Sequence, residues 1–289
     1  MPIRKLLVLL FGGAADEPAL EAALGIAALS AAHIEALFMR PSGAGLEGWD
    51  TGWLPPWILA RQSGSAEQAS LLASEAARRN FETWRDRAGV SAPDRPGPLS
   101  TPTAAWREDV GHVSLILRRR GQCADLIVVQ RQDRPDWPAT DALFEAALMT
   151  TGRPVLLVPY AHGAVRARTV AVAWKPTAQA SRALAGALPL LAGAERVELV
   201  TVEERHAGRP GNTADVAEYL AWHGVAASLR PAKPGLDSAG HAILREAAAI
   251  GADLLVMGAY THSWTREELF GGATRHVMDH ASLPVLFAH

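Results

Sequence analysis

A single cysteine, Cys123, is all that this chain of 289 residues contains. No internal disulfide is available, and a lone thiol fits a reducing compartment. An excess of charge of one sign is lacking too: 28 basic against 30 acidic residues leave a formal net charge of −2. That balance supplies no global attraction for a nucleic-acid backbone or an anionic lipid surface. Long hydrophobic runs are also missing. The apolar stretch inside Met1–Phe11 is about seven residues, the length of one buried strand, and Gly12-Gly13 and acidic residues follow it. This resembles neither a signal peptide nor a membrane span. The expectation is a soluble cytoplasmic protein with no nucleic-acid partner and no membrane partner. No G-x-S-x-G elbow occurs, so nucleophilic serine chemistry has no support. Cys123 stands just before a strand-like run, where a core role is expected.

What is present is ample material for a core, with 49% hydrophobic and 20% charged residues. Such a composition folds, and the length suits two domains better than one. Self-similarity supports that division. Ala124-Asp125-Leu126-Ile127-Val128-Val129-Gln130 matches Ala252-Asp253-Leu254-Leu255-Val256-Met257-Gly258, and Pro154-Val155-Leu156-Leu157 matches Pro284-Val285-Leu286-Phe287. Ile34-Glu35-Ala36-Leu37 matches Val197-Glu198-Leu199-Val200 at a larger offset, because the first copy carries extra residues between its second and third strands. A period near half the chain indicates duplicated domains, placed at residues 1–162 and 163–289, and not a solenoid.

Each copy alternates apolar runs with amphipathic segments. In the first, strands are expected at Lys5–Leu10, His33–Met39, Leu99–Ala105, Asp125–Val129 and Val155–Val158. Helices are expected at Glu17–Ser30, with Asp16 as N-cap, and at Ala66–Ala88, Val110–Arg120 and Ala139–Thr150. In the second, strands fall at Thr169–Trp174, Val197–Val202, Ala226–Arg230, Asp253–Met257 and Val285–Phe287. Its helices fall at Gln179–Leu191, Thr213–His223, Ser238–Ile250 and Leu269–Asp279. Near-continuous apolar strands alternating with helices predict the α/β class: two doubly wound, five-stranded parallel-sheet domains. Ligands of such sheets sit beyond the carboxyl ends of the strands, at the topological switch. That points to Trp174, Val202 and Met257 and the residues just after them.

The glycines of Gly271-Gly272-Ala273-Thr274, after strand Asp253–Met257, suit phosphate held on free N–H groups at a helix amino terminus. They equally suit a plain turn, and both readings stay open at this point. Pro41–Gly64 lies outside the repeat and carries Trp49, Trp53 and Trp57, suited to a ligand lid, a partner surface or packing over the domain seam. His276 and His280 share a helix face, with Asp279 adjacent and His262 in the preceding loop, but no second ligand pair has recognisable spacing. Surface histidines and no metal are expected. Arg118-Arg119-Arg120 suits a helix carboxyl terminus, and Glu267-Glu268 a helix first turn.

Several motifs carry a family resemblance. Asp253 through Tyr260, then Leu269-Phe270-Gly271-Gly272-Ala273-Thr274-Arg275, then Pro284-Val285-Leu286, are similar to the last strand–loop–helix–strand unit of universal stress proteins. Val172-Ala173-Trp174 and Ala187-Leu188-Pro189-Leu190-Leu191 resemble its opening unit, and Trp106-Arg107-Glu108 and Gly152-Arg153-Pro154-Val155 resemble tandem members. The resemblance covers the full length. It implies an adenine-nucleotide alpha-hydrolase-like fold whose two copies form an intramolecular pseudo-dimer through Val155–Val158 and Val285–Phe287. It also implies a homodimer of such chains, unknown protein partners, and a stress-response role without catalysis.

The family's ATP-binding branch carries G-x-x-G-x9-G-[S/T]. Here Gly258 and Gly271 fill the first and third glycine positions, whereas Thr261 replaces the second and Gly272 the final Ser/Thr. By resemblance, Met257, Gly258, Gly271, Gly272, Ala273 and Thr274 line the phosphate and ribose of ATP or AMP, with magnesium, and Val202 meets the base through its backbone. Where the family often has an acid at the end of its first strand, this chain has Lys175, directly after Trp174. A lysine there offers a point charge to phosphates. The first copy has Gln130 in place of Gly258 and no glycine in Arg131–Pro138, so it is read as degenerate and ligand-free. Two alternatives from other classes remain: a ligand-free scaffold, and a weak ATP hydrolase.

Overall fold

The computed structural model describes residues 2–13, 16–41, 66–93, 95–131, 139–160, 162–202, 212–233, 238–259 and 272–289. They fall into two compact units, Pro2–Ala164 and Val165–His289. The N-terminal unit has strands β1 (Lys5–Leu10), β2 (His33–Pro41), β3 (Thr103–Gly111), β4 (Leu126–Gln130) and β5 (Val155–Val158). Its helices are α1 (Asp16–Ser30), α2 (Ala66–Arg87), α3 (Val113–Gly121) and α4 (Ala139–Thr151). The C-terminal unit repeats the order with β6 (Thr169–Ala173), β7 (Arg196–Val202), β8 (Ala227–Ala232), β9 (Leu254–Gly258) and β10 (Val285–Ala288). Between them run α5 (Ala178–Leu191), α6 (Thr213–Trp222), α7 (Ala239–Ala249) and α8 (Gly272–His280).

All these pairings are parallel, and the strand order is β3-β2-β1-β4-β5 in the first unit and β10-β9-β6-β7-β8 in the second. Each sheet is therefore doubly wound, with its switch between β1 and β4 or between β6 and β9. The central strands are buried on both faces: every residue of β4 is buried, and Leu254, Leu255 and Val256 of β9 are fully shielded. Removing such a side chain from water stabilises the fold by about 2 kcal/mol.

The repeat extends to individual hydrogen bonds. The Asp125 carboxylate accepts the backbone N–H groups of Arg4 and Lys5 at 2.7 and 3.0 Å. Asp253 does the same for Arg168 and Thr169, both at 3.0 Å. Each aspartate thus ties the start of the first strand of its unit to the start of the fourth. Glu35 and Glu198, matched in the sequence, are both buried, against Lys5 at 3.0 Å and Arg196 at 2.7 Å respectively.

Five expectations change. The third strand lies at Thr103–Gly111 and not at Leu99–Ala105, and the following helix begins at Val113 and not at Val110. Arg107-Glu108-Asp109 looks unlike a strand, yet on this edge strand Glu108 pairs with Arg40 at 2.9 Å and Asp109 with Arg120 at 2.7 Å. Arg119 also reaches Asp109, at 2.8 Å, so two of the three helix-end arginines are committed to an ion pair and do not merely complement the helix dipole. Cys123 is exposed and not in the core. It sits in the turn between α3 and β4, where its N–H bonds the Arg120 carbonyl at 3.1 Å. Asp16 is the first residue of α1, and its carboxylate points back to the end of β1 instead of capping forward.

Trp49, Trp53 and Trp57 lie outside the described residues, as do Tyr260, Thr261, His262, Glu267, Glu268 and Gly271. Among the described residues no helix is long and apolar enough to cross a membrane.

Candidate functional site

The second unit's switch point is built from neighbouring strand ends. Ala173 of β6 and Met257 of β9 are register partners, so Trp174-Lys175 and Gly258 leave the sheet side by side. Val202 ends β7, one strand further on, and is half-buried. The Trp174 N–H continues the strand pairing to the Val200 carbonyl at 2.8 Å. Its indole is buried and donates to Asn212 Oδ1 at 3.0 Å, tying the end of β6 to the residue that precedes α6.

Beyond Trp174 the chain turns sharply into α5. Lys175 is exposed, the Thr177 N–H bonds the Lys175 carbonyl at 2.7 Å, and Thr177 then caps α5 by accepting from the Ala180 N–H at 3.2 Å. A threonine in extended backbone is a favoured cap because its oxygen satisfies one of the first-turn donors. The lysine therefore lies exposed in the turn between β6 and the first turn of α5.

Gly258 sets how closely that helix approaches. A Cβ at this position would lie 2.5 Å from the Ala180 nitrogen and 2.7 Å from the Gln179 carbonyl carbon. Both are backbone atoms, which cannot swing aside as a side chain can. The missing side chain is what lets the positive end of the α5 dipole sit directly over the end of β9. Lys175 and the α5 amino terminus thus bring positive potential to one corner of the sheet edge.

The remaining expected residues are placed differently. Met257 is a core residue at 5% exposure, set between its register partners Ala173 and Phe287. Gly272 opens α8, is exposed and has open space where a Cβ would project. Ala273 is half-buried, and its carbonyl would be 2.8 Å from a Cβ on Gly240, so this part of α8 is committed to a close crossing with α7. Thr274 is buried, at 5% exposure, and does not stand open to solvent as a hydroxyl donor for a free phosphate would. The structure therefore brings together Trp174, Lys175 and Gly258, with Val202 nearby, and places Gly272, Ala273 and Thr274 on the α7–α8 pair. Thr177, Asn212 and Gly240 were not singled out in the sequence. The cap signals Pro176-Thr177 and Asn212-Thr213 were readable there, whereas the contact at Gly240 carries no local signal.

His276 and His280 stack with ring centroids 4.3 Å apart, and His241 of α7 lies 5.8 Å from His276. His280 Nδ1 bonds the His276 carbonyl oxygen at 2.9 Å. Among the described residues no group of three His, Cys, Asp or Glu is placed to hold a metal ion.

The corresponding corner of the first unit is filled. Gln130 pairs in register with Val158 as Gly258 does with Ala288, so the two positions are equivalent. Its side chain is fully buried; Nε2 donates to the Tyr160 carbonyl at 3.4 Å, and among the described residues Oε1 has no hydrogen-bond partner.

Comparison with known proteins agrees with this architecture. Residues 166–289 match the Universal stress protein family. The chain aligns with a universal stress protein from Archaeoglobus fulgidus over 98% of its own length and 97% of the other, at 15% identity and a TM-score of 0.67. It aligns with a protein of unknown function from Pseudomonas aeruginosa over 98% and 92%, at 17% identity and a TM-score of 0.52. UspA from Lactobacillus plantarum covers 55% of this chain with 99% of its own, at 15% identity and a TM-score of 0.37. No curated protein matches the sequence. Residues 166–289 are thus similar to the Universal stress protein family, and the chain over its whole length shares the two-unit fold of the Archaeoglobus fulgidus protein.

Proposed function

We propose that this is a stress-response protein whose C-terminal unit binds an adenine nucleotide, ATP or AMP, at the β6–β9 switch point, and that it acts by changing partner affinity or oligomeric state without catalysis. The observation that carries this reading is the approach of the α5 amino terminus to Gly258 beside exposed Lys175. A helix dipole and a lysine together favour a polyanion over a neutral ligand. Val202, half-buried at the end of β7, supplies backbone for the base, and Trp174 fixes the neighbouring chain through Asn212. The crevice between oppositely wound strands is where such sheets take ligands. The phosphate contacts lie along Lys175 and α5 and not at buried Thr274, which favours phosphates pointing toward the first turn of α5.

Isothermal titration calorimetry of the full chain with AMP and ATP tests this. One site per chain is expected, with affinity falling roughly tenfold in Lys175→Glu, about 1.4 kcal/mol. No detectable heat with either nucleotide, and no nucleotide released on denaturing the purified protein, leaves the ligand-free scaffold as the function. Binding that Lys175→Glu does not change removes the lysine from the site.

A further inference from the structure

The first unit closes its own switch point with an acid. Asp16 is 2% exposed; its Oδ1 accepts the Phe11 N–H and its Oδ2 the Gly12 N–H, both at 2.8 Å. By strand register Phe11 is the counterpart of Lys175, where the second unit carries no buried acid in its turn: Pro176 and Thr177 follow, and Thr177 caps α5. The two successive donors leaving β1 converge on one carboxylate, and a carboxylate with one oxygen on each of two successive N–H groups is the arrangement by which backbone concavities hold anions.

Gly12 makes the turn possible. Its φ is +90°, open to few residues but glycine, and a Cβ there would meet the Ala73 carbonyl oxygen at 3.1 Å and Phe38 Cε2 at 3.2 Å. Phe38 stacks on Trp106 at 6.0 Å, and Phe81 of α2 lies 6.0 Å from Trp106, so the wall behind Gly12 is a packed aromatic cluster. No ion-pair partner of Asp16 occurs among the described residues. The nearby acids of α1, Glu17 and Glu21, turn outward to Arg87 of α2 at 2.6 and 3.3 Å. Burial pushes the Asp16 carboxyl up to about 6 against the lowering effect of the Phe11, Gly12 and Gly13 N–H groups. An acid kept where it costs this much has a role that the apolar surroundings do not explain.

We propose that the corner after β1 is an anion-binding turn occupied by the chain's own Asp16 carboxylate, which together with buried Gln130 shuts the N-terminal switch point to external anions. Asp16 is the internal counterpart of a bound carboxylate or phosphate, and Gln130 puts a buried side chain at the register position that Gly258 holds in the other copy. Only one of the two duplicated corners then responds to a soluble ligand.

Chemical rescue tests this. Asp16→Gly in the full chain removes the internal anion and leaves the Phe11 and Gly12 donors facing a small cavity. Acetate or formate is expected to raise the Tm of the variant by about 3 °C at tenfold excess over its dissociation constant, while chloride at equal ionic strength does not. The wild type shows no such difference between the anions. A variant no more stabilised by carboxylates than by chloride overturns the proposal. Should Asp16→Gly fail to fold, amide hydrogen exchange of the wild type decides: protected Phe11 and Gly12 amides are expected, and exchange at solvent rates overturns it. Both readouts come from the first unit, so they stand apart from the calorimetry on the second.

Discussion

Replacing Gly258 with alanine probes the distance on which the candidate site depends. The new Cβ would stand 2.5 Å from the Ala180 nitrogen, against an ordinary carbon contact of about 3.5 Å, so α5 must withdraw by roughly 1 Å. The neighbours are backbone atoms of a capped helix turn, and no rotamer change relieves the contact. Overpacking of this kind costs about 1–3 kcal/mol. With a urea m-value of about 2 kcal/mol/M, the midpoint falls by roughly 0.5–1.5 M at constant slope. Gly272→Ala is the control, because its Cβ meets nothing within 4 Å, and its midpoint stays or rises slightly. Nucleotide titration of Gly258→Ala should show loss beyond that of Lys175→Glu, since moving α5 displaces both the dipole and the lysine. An unchanged midpoint together with unchanged affinity refutes the close approach and the site built on it.

Two further outcomes follow from aspartates that hold backbone N–H groups. Because Asp16 has a folded-state pKa of about 6 against 3.8 when exposed, folding binds its proton more tightly. Its favourable contribution is complete below pH 3.8 and is lost as pH rises through 6, a swing of about 3 kcal/mol. Asp109 and Glu246, held low by Arg120 and Arg230, act in the opposite sense as pH falls. The check is therefore the difference in urea-unfolding stability between wild type and Asp16→Asn, which should move toward the wild type by about 2.4 kcal/mol from pH 7 to pH 4; parallel curves refute it. Asp253→Ala strands the Arg168 and Thr169 N–H groups and Asp125→Ala those of Arg4 and Lys5. Each should cost about 1–3 kcal/mol by chemical denaturation, and a negligible loss at both would show that the strand starts are held by other contacts.

The duplicated α/β architecture was legible because its strands are shielded on both faces, so Leu126–Val129 and Leu254–Met257 read as unbroken apolar runs. The edge strand β3 was not, because Arg107-Glu108-Asp109 shows its charges while hiding the partners that accept them, Arg40 and Arg120, far away in sequence. The site was half legible. Gly258 was found from its position after a strand, but the sequence does not say whether a glycine spares room for a ligand or for a helix, and here α5 takes the room. Asp16 looked like a cap because capping residues and backward-reaching acids share a composition. The burial of Thr274 was not legible, because the close crossing of α8 on α7 at Gly240 has no local sequence signal.

The contrast between Gln130 and Gly258 has a consequence for how such a protein can change. In an assembly of identical subunits any substitution alters every copy of a pocket at once, so a half-lost pocket cannot exist. Fusing two copies into one chain lifts that restriction. One corner can be sealed, loosened or retuned while its twin is left as it was.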